Sequence, residues 1–344
     1  MALFNKKNNT VIGVDIGTSV IKLVEANHQS EAPQLVTYGI ATLDRSNLST
    51  DTKQNISYYA ESLRALVEQT HATGTITVGA LPATSAFTTV IEMPLMPKKE
   101  IDSAVRWEAK KLVPLPLEKM SLDWHIVSSD AKTMNIIVTA ASKDMITNTM
   151  AIFQQAGLSL IALETEISAL RRSLVTDLAE ATMIIDIGAT NTNVAIFHRG
   201  VPMVTRNIDV GGQSFDVNIA NSMNVNIERA EQFKNHFGPT VAGQPDHPVS
   251  RAIQFVIDNM IVRELRPLIS AFESAHQVGI SNIIVAGGTA HMKNLIPYLQ
   301  KVFNKTVMIA DPWKHISHPG ELSSELEKIA PEMAVTAGLA LKTR

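Results

Sequence analysis

Hydrophobic positions along the chain switch between the two-residue period of strands and the 3.6-residue period of helices, and the switches mark out the elements. Thr10–Ile16, Val20–Asn27 and Leu35–Leu43 run apolar or alternate between turn residues, which predicts three strands. Asp51–His71 places Ile56, Tyr59, Leu63, Leu66 and Val67 at helical spacing, and Thr75–Leu81 is a further strand stopped by Pro82. Three strands, a helix and a strand make half of an α/β unit. Residues 84–141 read as an insertion: a strand at Phe87–Ile91, a helix over Pro97–Leu112, and strands at Ser121–Val127 and Asn135–Ala140. Pro97 suits a first helical turn, and the two prolines of "VPLPLEK" stop that helix. The main unit resumes with a helix at Lys143–Ala156, a strand at Leu158–Leu163 and a helix from Glu166.

The second half repeats the opening. "MIIDIGATNTNVAIF", from Met183, follows the pattern of "VIGVDIGTSVIKLVE", from Val11: an apolar run ends on an aspartate, glycine and hydroxyls turn it, and a second strand follows. After "VPMVTRNIDVGG" the spacing predicts helices at Gln213–Met223 and Ile227–Phe237, and one long helix across Ser250–Gln277. Between them "GPTVAGQPDHPVS" predicts an exposed, mobile loop. Then come the strand "NIIVAGG", a helix at His291–Phe303, a strand at Thr306–Ile309, and a last helix in "PEMAVTAGLALK" packed on the body.

The repeated hairpin carries chemistry. In each copy a buried strand delivers an aspartate, Asp15 or Asp186, to its exposed end, and a glycine without Cβ, Gly17 or Gly188, lets a ligand come close. Turn N–H groups, with Thr18 and Ser19 in one copy and Thr190 and Asn191 in the other, can surround phosphate oxygens. A carboxylate repels a polyphosphate, but it can hold the accompanying Mg²⁺ through the metal's waters. One such hairpin is ordinary turn chemistry; the second copy favours a pair that clamps one triphosphate. Gly287 and Gly288, in "IIVAGGTAHMKNL", stand between a strand and a helix N-terminus, where bare backbone can pack against adenine or an α-phosphate. Gly211 and Gly212, ahead of the helix at Gln213, join the same candidate site.

These elements, in this order, resemble the phosphate-1, phosphate-2 and adenosine motifs of the actin/DnaK/FtsA ATPase superfamily. The resemblance implies an α/β, bilobal actin-like ATPase fold with duplicated RNase-H-like lobes, binding ATP or ADP with Mg²⁺. "LETEISALRR" resembles that family's first connecting helix, with Glu166 where the attacking water is oriented; an acid complementing a helix dipole is the other reading. "NIERAEQFKNHF" resembles the family's E-x-x-K helix over the adenosine, so that Glu231 and Lys234 reach one ribose or base, or else form an ordinary i,i+3 ion pair. Lys22, on the strand after the first turn, touches phosphate or snorkels to solvent.

The βαββ insert falls where FtsA carries its 1C subdomain, an SHS2-type unit. Its wording, "AVRWEAKKLVPLPLEKMSLDWHIV", closely resembles the PilM family of type IV pilus machines, and that likeness covers nearly the whole chain. It implies subdomain 1A at 1–83 and 142–180, the 1C insert at 84–141, and 2A at 181–210 and 279–344, with the last helix free to return to lobe 1. Subdomain 2B is then 211–278. The family further implies a cytoplasmic ATP-binding adaptor of pilus assembly and twitching motility. In this reading it holds the short cytoplasmic N-terminal tail of a PilN-like single-span membrane protein in the 1A/1C groove. That recruits it to the inner face of the membrane near the pilus motor ATPases, with weak self-association left open. Trp107, off the apolar stripe of its helix, either anchors the partner peptide or lies half-buried on its own sheet.

Composition narrows the field. The chain has 344 residues, 45% hydrophobic and 18% charged, with a mean hydropathy of +0.08, which fits a soluble two-domain or bilobal protein. A net charge of −3 with both signs dispersed announces no nucleic-acid surface, and the absence of cysteine removes disulfides and thiolate chemistry. "MALFNKKNNT" lacks an apolar core and is not expected to be a signal peptide, and no stretch reaches a membrane span's ~20 apolar residues, so direct membrane insertion is not expected. His315 and His318 form H-x-x-H without neighbouring carboxylates, a weak metal candidate. Phosphate-2 reads Gly188-Ala189 where DnaK-type sites have consecutive glycines, and the chaperones' lysine-bearing subdomain is missing. Nucleotide binding is therefore expected to be firmer than turnover. The alternative reading is an FtsA-like cell-division filament protein, against which "GLALKTR" ends without an amphipathic anchor; a sugar kinase would need a catalytic aspartate that is not found.

Overall fold

The computed structural model describes residues 9–30, 32–112, 116–243 and 245–343, with Arg45 described for its backbone alone. The N-terminal segment through Asn8 and Pro114 of the expected helix stop lie outside the described residues. The chain divides into two compact units. Unit 1 takes the chain up to Ser173, Pro312–Leu326, and the chain from Val335 on; unit 2 takes Leu174–Asp311 and Glu327–Ala334.

In unit 1 the order is β1 (Thr10–Ile16), β2 (Val20–Asn27), β3 (Gln34–Thr42), α1 (Thr52–Thr70) and β4 (Ile76–Leu81). The insert follows as β5 (Ala86–Pro94), α2 (Lys98–Leu112), β6 (Met120–Ser129) and β7 (Thr133–Ser142). Then come α3 (Lys143–Ala156), β8 (Leu160–Thr165) and α4 (Glu166–Leu174). The main sheet runs β3-β2-β1-β4-β8, the first two strands antiparallel to their neighbours and the last two parallel. Helix α1 starts where the Asp51 carboxylate accepts the Lys53 N–H at 2.8 Å, and it stops at His71 in the left-handed region. Its buried Ala60, Leu63 and Leu66 pack with Phe153 of α3 onto Ile12, Val14, Ile21 and Leu23. The insert makes its own antiparallel sheet, β5-β7-β6, covered by Ile101, Val105 and Ala109 of α2.

Unit 2 repeats the main sheet. It holds β9 (Ala181–Ile187), β10 (Thr192–His198), β11 (Val201–Ile208), α5 (Gly212–Met223), α6 (Ile227–His236), α7 (Pro248–Val256) and α8 (Arg263–His276). It continues with β12 (Ile280–Ala286), α9 (Leu295–Phe303) and β13 (Thr306–Ile309). The order β11-β10-β9-β12-β13 has the same pattern of antiparallel and parallel pairs as the first sheet. Buried Phe215, Phe272, Ile253 and Leu265 fill its core.

Several elements differ from the sequence reading for local reasons. The long helix is interrupted: Ile257–Val262 widens into a π-turn between α7 and α8, and Pro267 withholds one N–H just beyond it. Helix α9 begins at Leu295 rather than His291, because Asn294 takes a left-handed φ of 62°. The loop expected to be exposed starts buried: Gly238 and Pro239 are covered, and a Cβ on Gly238 would overlap the Lys293 carbonyl. A short helix α10 (Ser323–Ile329), with Leu326 alone buried, carries too few apolar positions to be read as periodic. The last helix, α11 (Ala334–Ala340), is shorter than expected, Pro331 holding the turn before it in a 3₁₀ form. Residues 312–326, assigned by sequence to the second lobe, belong to unit 1, where Ser317 exchanges backbone hydrogen bonds with Pro33 and Leu35.

Candidate functional site

In each unit a turn of the same kind stands at the end of the central strand. In unit 1, β1 and β2 pair Asp15 with Lys22 and Ile16 with Ile21. The Gly17 N–H donates to the Val20 carbonyl at 2.9 Å, which leaves Thr18 and Ser19 as the turn; the Leu43 N–H, just past β3, holds the Ser19 carbonyl at 2.8 Å. Asp15 and Lys22 face each other at 3.9 Å with 13% of each side chain exposed. Burial pushes the Asp15 carboxyl up, and the Lys22 ammonium draws it partly back.

This hairpin is supported from behind by the end of the chain. A Cβ on Gly13 would overlap the Thr336 carbonyl and stand 2.6 Å from the Ala340 nitrogen, so α11 lies flush on β1. A Cβ on Gly338 would likewise overlap the Ala169 carbonyl of α4. Glu164, near the end of β8, binds Arg172 at 2.8 Å and Lys342, and Arg172 also donates to the Gly338 carbonyl at 2.6 Å. Burial would raise the Glu164 carboxyl, but the hydrogen bonds from Arg172 and Lys342 outweigh it and hold it below its ordinary value. Glu164 is thus structural. Glu166 sits in the first turn of α4, the position the dipole reading requires.

In unit 2 the same hairpin recurs: Asp186 pairs with Asn193, Ile187 with Thr192, and the Gly188 N–H donates to the Asn191 carbonyl at 2.9 Å. Where Lys22 stands in the first copy, this one has a neutral amide. Asn193 accepts from Asn207 at 2.6 Å and from Asn191 at 3.4 Å. The turn is tied to the start of α5, whose Gly212 and Gln213 N–H groups donate to the Gly188 and Ala189 carbonyls at 2.9 Å. Gly211 caps that helix, and a Cβ there would stand 2.6 Å from the Asn191 nitrogen and 2.7 Å from the Gly188 oxygen. Thr190 lies on the turn with its hydroxyl 3.4 Å from Asn191 Oδ1.

Gly287 lies beside the same strand end. Its φ is +84°, and a Cβ would overlap the Ile187 carbonyl and stand 2.7 Å from Asp186 Oδ1. Gly288 is different: the nearest atom to its absent Cβ is a Glu332 carbon at 3.7 Å, so the fold itself does not require glycine there. A ligand brought against the backbone does require it. Each turn by itself sets backbone, a hydroxyl or amide side chain and one aspartate at a strand end, a donor set that suits phosphate oxygens.

Two readings are revised by the geometry. Lys234 does not pair with Glu231: its ammonium binds Asp216 Oδ2 at 2.7 Å and the Gly212 carbonyl at 3.3 Å, while Glu231 is exposed. Asp216 is 6% exposed with Oδ1 unpartnered; burial raises its carboxyl, Lys234 lowers it, and Glu231 raises it again. Sequence reasoning missed Asp216, although a carboxylate between the apolar Phe215 and Ile219 was a visible signal. Trp107 is not half-buried on its sheet: it is 65% exposed under the Lys111 ammonium, and Trp124 fills the inner position. Among the described residues no group of three or more His, Asp or Glu side chains is placed to hold a metal ion. No helix among them is long and apolar enough to cross a membrane.

Two sheets of one topology, each ending in the same aspartate–glycine turn, define the actin-like ATPase fold. The family model described as Type IV pilus assembly protein PilM matches residues 13–344, and the chain belongs to that family. Among solved structures, the PilM-PilN type IV pilus biogenesis complex superposes with a TM-score of 0.83 at 24% identity, covering 96% of this chain and 97% of that one. A MamK non-polymerising mutant bound to AMPPNP gives a TM-score of 0.51 at 14% identity, over 97% of this chain and 98% of that one. Among curated proteins, cell division protein FtsA of Enterococcus faecalis is 21% identical over 89% of this chain and 79% of its own length. FtsA of Staphylococcus epidermidis is 23% identical over 44% of this chain, and the match spans 36% of that protein.

Proposed function

We propose that this chain is an ATP-binding adaptor of type IV pilus assembly, working at the cytoplasmic face of the membrane. Both phosphate turns contribute to one function: Asp15 and Asp186 hold Mg²⁺ through water, the turns at Gly17–Ser19 and Gly188–Asn191 receive phosphate, and Gly288 admits the adenosine. Lys22 adds positive charge to the first turn, and Lys234 lies on the helix over the ribose. Glu166 orients a water for slow hydrolysis, well below the ~1–100 s⁻¹ of kinases. The nucleotide analogue in the MamK structure supports this use of the fold.

The partner is the cytoplasmic N-terminal tail of a PilN-like membrane protein, taken between the 1A core and the 1C insert, and through it the pilus motor. Family membership over residues 13–344 carries this reading. An extended tail ordered on binding favours modest, switchable affinity. The test is titration of a synthetic PilN-like tail peptide into the full chain with and without Mg-ATP. Saturable binding that shifts with nucleotide is expected; no binding in either state would overturn the adaptor reading. Membrane-bound filaments formed without the tail would turn it towards the FtsA side.

A further inference from the structure

The 1C insert leaves part of its own core uncovered at the end remote from the main sheet. The chain enters the insert at β5's Ala86 and leaves at β7's Ser142, whereas a groove of about 450 Å³ lies at the opposite end, by Leu95, Met96 and Ser129. Its floor is Ile101 and Met134, 4% and 2% exposed. Along β6, Leu122, Trp124 and Ile126 fall on one face in step. Leu122 and Trp124 are packed into the insert's core, but Ile126 is 46% exposed, and Leu95 across the groove is 50% exposed. An inward-facing position is therefore unfilled.

Two further features describe what fills it. Strand β6 is the outer strand of β5-β7-β6, and no described strand pairs with its far edge. Near the strand's middle the Trp124 N–H is satisfied by the Asp123 carboxylate at 2.9 Å, a cap that β6 does not repeat beside the groove. An open edge of this kind accepts an added strand. Lys98 lines the groove, Lys99 follows it in α2, and the Lys132 carbonyl accepts the N–H of the lining Leu95; all three lysines are exposed and make no ion pair with another described residue, whereas the nearby Asp102 is taken up by Arg106 and the Trp124 indole. Lys98 and Lys99 stand in the first turn of α2, where the helix dipole disfavours positive charge. Asp130, in the adjoining turn, is occupied by the N–H groups of Lys132 and Thr133 at 2.7 and 2.8 Å.

We infer that this groove is a second docking site, separate from the tail groove at the base of the insert, for an extended acidic segment of a partner protein. The segment lies along the β6 edge, places an apolar side chain over Ile126, and sets carboxylates against Lys98, Lys99 and Lys132. Backbone pairing supplies affinity, while the pocket and the lysines supply specificity.

The probe is a fluorescein-labelled, end-blocked octapeptide of alternating Glu and Leu, with a Lys–Leu octapeptide as control, measured by anisotropy on the full chain. The Glu–Leu peptide is expected to bind, to weaken at least about tenfold in Ile126→Lys and in Lys98→Glu/Lys99→Glu, and to slow amide exchange in β6. Both variants alter exposed side chains only, and unchanged melting curves will confirm their folding. Equal binding of the Lys–Leu peptide, unchanged affinity in both variants, or displacement by the PilN-like tail peptide would overturn the inference. So would a dimer of the chain in sedimentation that Ile126→Lys abolishes, since the edge would then serve a second copy.

Discussion

The two hairpins share a backbone and differ in everything that supports it. The first carries its own cation, Lys22 opposite Asp15, and rests on α11 from the far end of the chain, through Gly13 and the Glu164–Arg172–Lys342 cluster. The second has Asn193 opposite Asp186, sits in a network of three asparagines, and is tied to the helix that follows it in sequence. The same strand–turn–strand frame therefore carries a cation beside its aspartate in one unit and a neutral amide in the other. Position of the aspartate is set by the strand; its electrostatics are set by one cross-strand neighbour.

Glycine substitution breaks this comparison most sharply. Gly211→Ala drives a Cβ into the second turn and is expected to cost about 3 kcal/mol and abolish stabilisation by ATP. Gly17→Ala meets the Val20 carbonyl at 3.1 Å, alone at that range, and is expected to cost about 1 kcal/mol or less. Denaturant unfolding of both variants with and without Mg-ATP measures the difference; equal losses would show that the α5 support is immaterial.

Glu164→Gln tests the other support. Removing the charge from a mostly buried cluster is expected to cost about 2 kcal/mol at pH 7. Its sign with pH follows from the lowered folded-state value. The contribution is present above the unfolded carboxyl's 4.5 and is lost as pH falls through the folded value, because protonation releases Arg172 and Lys342. Stability of the variant, followed by denaturant titration from pH 7 to 3, should fall less steeply below 4.5 than that of the parent. Parallel curves would remove Glu164 from the account.

The smallest effect concerns the cation itself. Lys22→Met is expected to weaken Mg-ATP about tenfold, roughly 1.4 kcal/mol, while Asn193→Ser changes it less than about threefold. Calorimetric titration of the two variants decides, and equal effects would mean that Lys22 points its charge elsewhere.

Much of this was legible before the fold was. β1, β2, α3 and β13 fall on the residues where apolar runs and capping place them, because Ser142, Gly157 and the continuous buried run of β1 act within a few residues. The duplicated Asp–Ile–Gly turn was readable for the same reason. What was hidden depends on partners distant in sequence. Glu164 was readable only as an acid near a helix start, since Arg172 comes from α4 and Lys342 from just past α11. Lys234 was matched with Glu231, three residues away, whereas its partner Asp216 is eighteen residues off on another helix. Trp107 and Trp124 share one chemistry, and facing alone separates exposed from packed.

The central claim is that two neutral-to-cationic turns with two aspartates serve one nucleotide. The most direct measurement is the melting-temperature shift given by saturating Mg-ATP in the parent, Asp15→Ala and Asp186→Ala chains. The account predicts a clear upward shift in the parent and loss of most of it in each variant, whichever hairpin is changed. An unchanged shift in both variants would contradict the claim, and loss in only one would reduce the site to a single turn.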